Sequence, residues 1–156
     1  MRSVQINQLM FIDAFERDVD FHDEYSQSSY LDLETGEVIW VFEEDEDAEM
    51  AAGIEPEENQ AVRARIDASP SRYFEIPGRD HGEHHDILRE FLNSDWTEDK
   101  ELKSRAQQAY SGSIGRWIET IDNRDVVHAY YDFRDRKIME MAEEFLHEHD
   151  IDPLWR

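Results

Sequence analysis

Tyr30-Leu31-Asp32-Leu33-Glu34-Thr35-Gly36-Glu37-Val38-Ile39-Trp40-Val41-Phe42 is the stretch whose reading decides the fold. Two runs rich in aliphatic and aromatic residues flank Thr35-Gly36. Gly enters the left-handed conformation that a tight reversal demands, so the stretch predicts an antiparallel hairpin over about 30–42. Its second run, Val38 to Phe42, is apolar at every position rather than at alternate ones. That pattern predicts a strand that is central in its sheet or covered by helices on both faces. Arg72-Tyr73-Phe74-Glu75-Ile76-Pro77 predicts a third, short strand at about 72–76, stopped by Pro77-Gly78.

Outward from the hairpin the chain reads as helix. Residues 6–16 place Leu9, Met10, Ile12 and Phe15 on a broad apolar face. Pro56 suits the first position of a helix to about Ala68, with Ala61, Val62 and Ile66 inward, and Ser69-Pro70 ends it. Ile87, Leu88, Phe91 and Leu92 share a face over 81–93. Asp95-Trp96-Thr97-Glu98 matches a capping box ahead of a helix to Tyr110. Ser113 suits the N-cap of a helix bearing Ile114, Trp117, Ile118 and Ile121. A last helix spans about 124–149, with Val127, Tyr131, Ile138, Met141, Phe145 and Leu146 inward. The expected class is α+β: a mostly helical single domain, residues 1–156, packed on a small antiparallel sheet.

Composition narrows the function. The 156 residues hold 39 acids against 16 bases, a net charge of -23. Such a surface repels phosphate backbones and anionic lipid, which argues against direct nucleic-acid and membrane binding. Of the bases only Lys100, Lys103 and Lys137 are lysines. Abundant acid with little Lys is the mark of halophilic adaptation; the alternative is an acidic mimic of nucleic acid that occupies a basic partner. The acids run along the whole chain, which favours adaptation. With no cysteine there is no disulfide and no thiolate ligand or nucleophile, as suits a cytoplasmic protein. The N-terminus has acids within its apolar run and does not read as a signal peptide. No apolar run approaches the length of a membrane span. The acidic run Glu43 to Glu49 departs from the calcium-loop pattern in its alternation and in its missing Gly, and reads as a solvated loop.

One resemblance covers nearly the whole chain. Tyr30-Leu31-Asp32-Leu33-Glu34-Thr35-Gly36-Glu37-Val38, Tyr73-Phe74-Glu75-Ile76-Pro77, Tyr130-Tyr131-Asp132-Phe133-Arg134, Ala142-Glu143-Glu144-Phe145-Leu146 and Ile151 stand in an order that resembles the bacterial uncharacterised protein family 158 of the UPF series. Tyr130-Tyr131 and Phe145 depart from the family pattern while keeping large aromatics, as a packing role allows. The resemblance implies the order of elements; it implies no reaction and supplies no catalytic residue.

Chemistry concentrates in Arg79-Asp80-His81-Gly82-Glu83-His84-His85-Asp86. Asp80 and Glu83 form a capping box, D-x-x-E, and His84 continues the apolar stripe of Ile87 and Leu88. His81 and His85 remain, one helical turn apart, the spacing at which a helix offers two imidazoles to Zn²⁺ or another divalent metal. The Glu adjacent to a His that marks hydrolytic zinc motifs is absent, and no spacing selects a third ligand. The weight therefore falls on a helix start with surface histidines, and His81 and His85 stand as the metal candidates. No nucleophile elbow or Gly-rich phosphate loop occurs; Ser111 to Arg116 approaches a phosphate-binding turn but is explained by Ser113 as a cap. Most aromatics fall on core stripes, while Trp155, after Pro153, is left to dock back or to anchor a partner. Together these features favour a non-enzymatic module that binds an unidentified protein partner. A metal-dependent enzyme using His81 and His85, and an acidic nucleic-acid mimic, are the alternatives.

Overall fold

The computed structural model describes residues 1–19 and 27–156. The hairpin forms as expected from strands β2 (Gln27–Asp32) and β3 (Val38–Phe42), paired antiparallel with Leu31 opposite Val38. Gly36 supplies the left-handed residue at φ 75°. Strand β4 (Tyr73–Ile76) pairs antiparallel with the other side of β2, so the sheet order is β3-β2-β4. β3 is thus an edge strand, not a central one. Its apolar pattern has the other cause: helices cover both faces. Val38 and Trp40 face the main core with helix α1 (Gln8–Glu16), and Ile39 and Val41 pack with Val62 and Ile66 of helix α3 (Pro56–Ala68).

The acidic run is an exposed loop only from Glu43 to Asp45; from Glu46 it is helix. Asp45 caps helix α2 (Glu46–Ala52), accepting from the backbone N–H groups of Asp47 and Ala48, and the acids of the first turn lie at the positive end of the helix dipole. Glu49 is buried and accepts from the Asn59 side chain at 3.1 Å. On α3 the polar Asn59 is buried, while Ala61, expected inward, is exposed. The reason is the sheet edge: the Asn59 amide pairs with both the N–H and the C=O of Phe42, at 3.2 and 3.1 Å, replacing a neighbouring strand.

Helices α4 (His81–Asn93), α5 (Lys100–Ala109), α6 (Ile114–Ile121) and α7 (Arg124–Glu148) complete the helical part. The α5 cap is Asp99 rather than a residue of 95–98, since its carboxylate reaches the Leu102 N–H. Along α7 the buried face is Val126, Tyr130, Ile138, Ala142 and Leu146, one position off the expected face in the first two turns, where Val127 and Tyr131 point away. The first half of α7 closes a helical core with Leu88, Phe91 and Trp117; its second half closes the sheet core with Phe11, Phe15 and Leu31. At 25 residues it is about 37 Å long and bridges both cores.

Two strands have no counterpart among the elements expected from the sequence. β1 (Arg2–Ile6) and β5 (Ile151–Trp155) pair in parallel, Arg2 with Ile151 and Ile6 with Trp155. Trp155 therefore docks back: its ring lies 5.8 Å from that of Phe11 and its indole N–H donates to Glu143 at 3.1 Å. The class is α+β, mostly helical, with a three-stranded antiparallel sheet and a two-stranded parallel one. Among the described residues no helix is long and apolar enough to cross a membrane.

Candidate functional site

The first turn of α4 begins as the sequence dictates. Asp80 accepts from the Glu83 N–H at 2.7 Å, and Glu83 accepts in return from the Asp80 N–H at 3.3 Å. Arg79 braces the turn, paired with Glu83 at 2.8 Å and stacked 4.0 Å over the Phe15 ring. Backbone bonds from Val19 to Arg79 and from Arg79 to Arg17 lay the segment after α1 alongside this turn. That pairing brings Asp18 to His81.

The histidines are not alike, and they are not all surface groups. His81 is 60% exposed, whereas His84 and His85 are buried at 7% and 5%. Burial pulls the pKa of both buried rings down, helped by Arg134 for His84 and by the other imidazoles and Arg89 for His85. Their neutral forms dominate near neutral pH. His84 Nε2 is buried and has no hydrogen-bond partner among the described residues.

His81 and His85 face each other. Their Nε2 atoms are 2.8 Å apart, His81 Nδ1 lies 3.2 Å from the Asp18 carboxylate, and His85 Nδ1 hydrogen-bonds the Tyr110 hydroxyl at the end of α5. One proton assignment satisfies these three contacts with both rings neutral. Tyr110 O–H donates to His85 Nδ1, His85 Nε2–H donates to His81 Nε2, and His81 Nδ1–H donates to Asp18. The chain of hydrogen bonds opens on a cleft of about 470 Å³ between α4, the start of α6 and α7.

Across the cleft stand Glu16, Tyr130 and Arg134. Burial raises the Glu16 pKa against the opposing pull of Arg134, whose guanidinium is 3.6 Å away. Burial also pushes the Tyr130 hydroxyl up to about 12, so it is a neutral phenol. The Ser111–Arg116 turn borders the cleft through Gly112 to Gly115, but the Ser113 hydroxyl is used as the α6 cap, accepting from Arg116 at 3.2 Å.

The sequence placed His81 and His85 on one face and the structure joins them. It could not show Asp18, Tyr110, Glu16 or Arg134, which come from other parts of the chain and carry no spacing signal. Among the described residues no three His, Asp or Glu side chains converge as a complete metal cage.

A second concavity of about 710 Å³ runs between α1 and α7. Leu9, Ile12 and Met139 line it with apolar side chains, and Asp13, Glu16 and Asp135 line it together with Arg136 and Arg156. Leu9 is 73% exposed there.

No family model matches the chain, and no curated protein or solved structure is significantly similar to it.

Proposed function

We propose that this protein acts by binding another protein, and that the α1–α7 groove receives a basic, amphipathic segment of that partner. The observation that carries the reading is Leu9, a large apolar side chain left in solvent beside Ile12 and Met139 in a groove whose charged lining is Asp13, Glu16, Asp135, Arg136 and Arg156. The apolar residues supply contact area, and the charged residues of both signs beside them fix the register of the bound segment. The net charge of -23 is what favours a basic segment and speeds its approach. Membership of family 158 of the UPF series belongs to the same proposal and rests on the motif residues 30–38 and 73–77.

The test is site-specific photocrosslinking in cells from positions 9 and 139, with exposed Ser104 on α5 as the control position. The reading expects one discrete adduct from the groove positions and none from 104. With that partner purified, Leu9→Asp should weaken binding at least tenfold without lowering the melting temperature, because Leu9 is not part of the core. Equal labelling from position 104 sinks the reading. So does a basic nucleic-acid-binding partner whose affinity ignores Leu9→Asp, the result the mimic alternative predicts.

A further inference from the structure

We propose that His81 and His85 form a two-imidazole site for a divalent transition metal of the Ni²⁺, Cu²⁺ or Zn²⁺ class, with Asp18 and Tyr110 as its outer shell. The site is independent of the α1–α7 groove and stands or falls separately.

Three observations converge on it. The Nε2 atoms of two residues one helical turn apart lie 2.8 Å from each other, with the rings edge to face. Each ring also uses its Nδ1 on a polar group from another part of the chain, Asp18 for His81 and Tyr110 for His85. That division is the one metal-ligating histidines adopt: one nitrogen to the metal, the other donating to a carboxylate or another oxygen that fixes tautomer and ring orientation. Finally, both residues line a cleft of about 470 Å³ with room for further ligands.

A purely structural account covers less. It explains His85, which is buried and must satisfy its nitrogens. It draws less on His81, which at 60% exposed has no burial to force its nitrogens into pairs. Loading a metal asks for little rearrangement. Four-coordinate metal–nitrogen bonds of about 2.0–2.1 Å put two ligating nitrogens about 3.3 Å apart. The rings need open only about 0.5 Å to reach that separation, a small side-chain rotation. The proton on His85 Nε2 leaves to solvent as solvent returns one to its Nδ1, a tautomer change with no net proton release, and Tyr110 turns from donor to acceptor for His85 Nδ1–H, which a hydroxyl permits. Two imidazoles favour borderline metals over Mg²⁺ or Ca²⁺, and the remaining positions fall to water or to a ligand held in the cleft.

The test is calorimetric titration of the full-length protein with Ni²⁺ in molar KCl and excess Mg²⁺, which occupy and screen the acidic surface. The proposal expects saturable one-to-one binding, abolished in His81→Gln and in His85→Gln and weakened about tenfold in Asp18→Asn. The Cu²⁺-loaded protein should show nitrogen superhyperfine splitting from two imidazoles in its electron paramagnetic resonance spectrum. Because His85 is buried, its variant can fail to fold; His81→Gln, at an exposed position, then decides. No saturable site, or Ni²⁺ affinity unchanged in His81→Gln, overturns the proposal.

Discussion

Asp32 shows how much one carboxylate can organise. It lies at the end of β2, 3% exposed, and accepts from Arg72 at 2.9 and 2.8 Å and from the backbone N–H groups of Glu34 and Thr35 at 3.0 and 3.4 Å. One side chain thus fixes the hairpin turn and ties it to the residue before β4. The Arg72 hydrogen bonds, outweighing burial and helped by the backbone donors, hold the carboxyl down to about 2. A folded pKa below the unfolded value of about 3.9 gives stability that is complete above that pH and is lost as the pH falls toward 2. With Arg72 one-third exposed, the ion pair is worth about 1–2 kcal/mol. Asp32→Asn should therefore lose about that much in urea unfolding at pH 7 and show a shallower decline than wild type between pH 5 and pH 2. Equal slopes would count against this account. At the same scale the histidines show what spacing omits: it put His81 and His85 on one face, but only packing made one a surface group and the other a buried one.

Among the elements, the edge strand β3 depends on a residue that propensity alone ranks as a poor choice. Asn59 is fully buried in α3, where an apolar residue would serve a helix better. Its amide instead closes the ladder at Phe42 and satisfies Glu49. Asn59→Ala strands the Phe42 N–H and the Glu49 carboxylate, while Arg63 still donates to the Phe42 carbonyl, and should cost about 2–4 kcal/mol in chemical denaturation. A loss under about 1 kcal/mol would mean that water replaces the amide. Gly36 makes a comparable case. A tight turn asks for a residue at positive φ, and the hairpin pattern is enough to predict Gly. The fold asks for more: a Cβ at this position would lie 1.6 Å from the Gln5 carbonyl oxygen, and the Gly36 carbonyl accepts from Asn7 N–H at 3.0 Å. Gly36→Ala should thus destabilise by several kcal/mol, well beyond the roughly 1 kcal/mol of a turn glycine alone. Hydrogen exchange should show the amides of β1 opening together with the hairpin. Protection lost only at 33–38 would argue that turn and β1 are uncoupled.

For the whole molecule, charge outweighs every other influence outside the cores. At -23, self-repulsion acts across the surface, and screening shortens from about 10 Å in 0.1 M salt to about 3 Å in 1 M. The melting temperature should rise steadily with KCl over that range, as halophilic adaptation requires. A flat or falling curve would remove that reading of the composition. Charge bears on solubility and on salt response, and it leaves the arrangement of the cores untouched.

By itself the sequence determined the hairpin, the third strand, the extents of α1, α3, α4 and α6, the capping box at Asp80 and the mostly helical α+β class. These are local: turn chemistry, caps and apolar periodicity act within a few residues, so a short window contains their cause. Only the tertiary structure decided the rest. β1 and β5 are short strands at opposite ends of the chain, and their pairing across about 150 residues leaves no trace in either window. The buried face of α7 shifts to Tyr130 because the helix must fill two cores with one stripe. Asp18 and Tyr110 reach the α4 histidines because the segment after α1 and the end of α5 are packed beside them. A site assembled from distant elements has its cause in packing, and packing is a property of the folded chain.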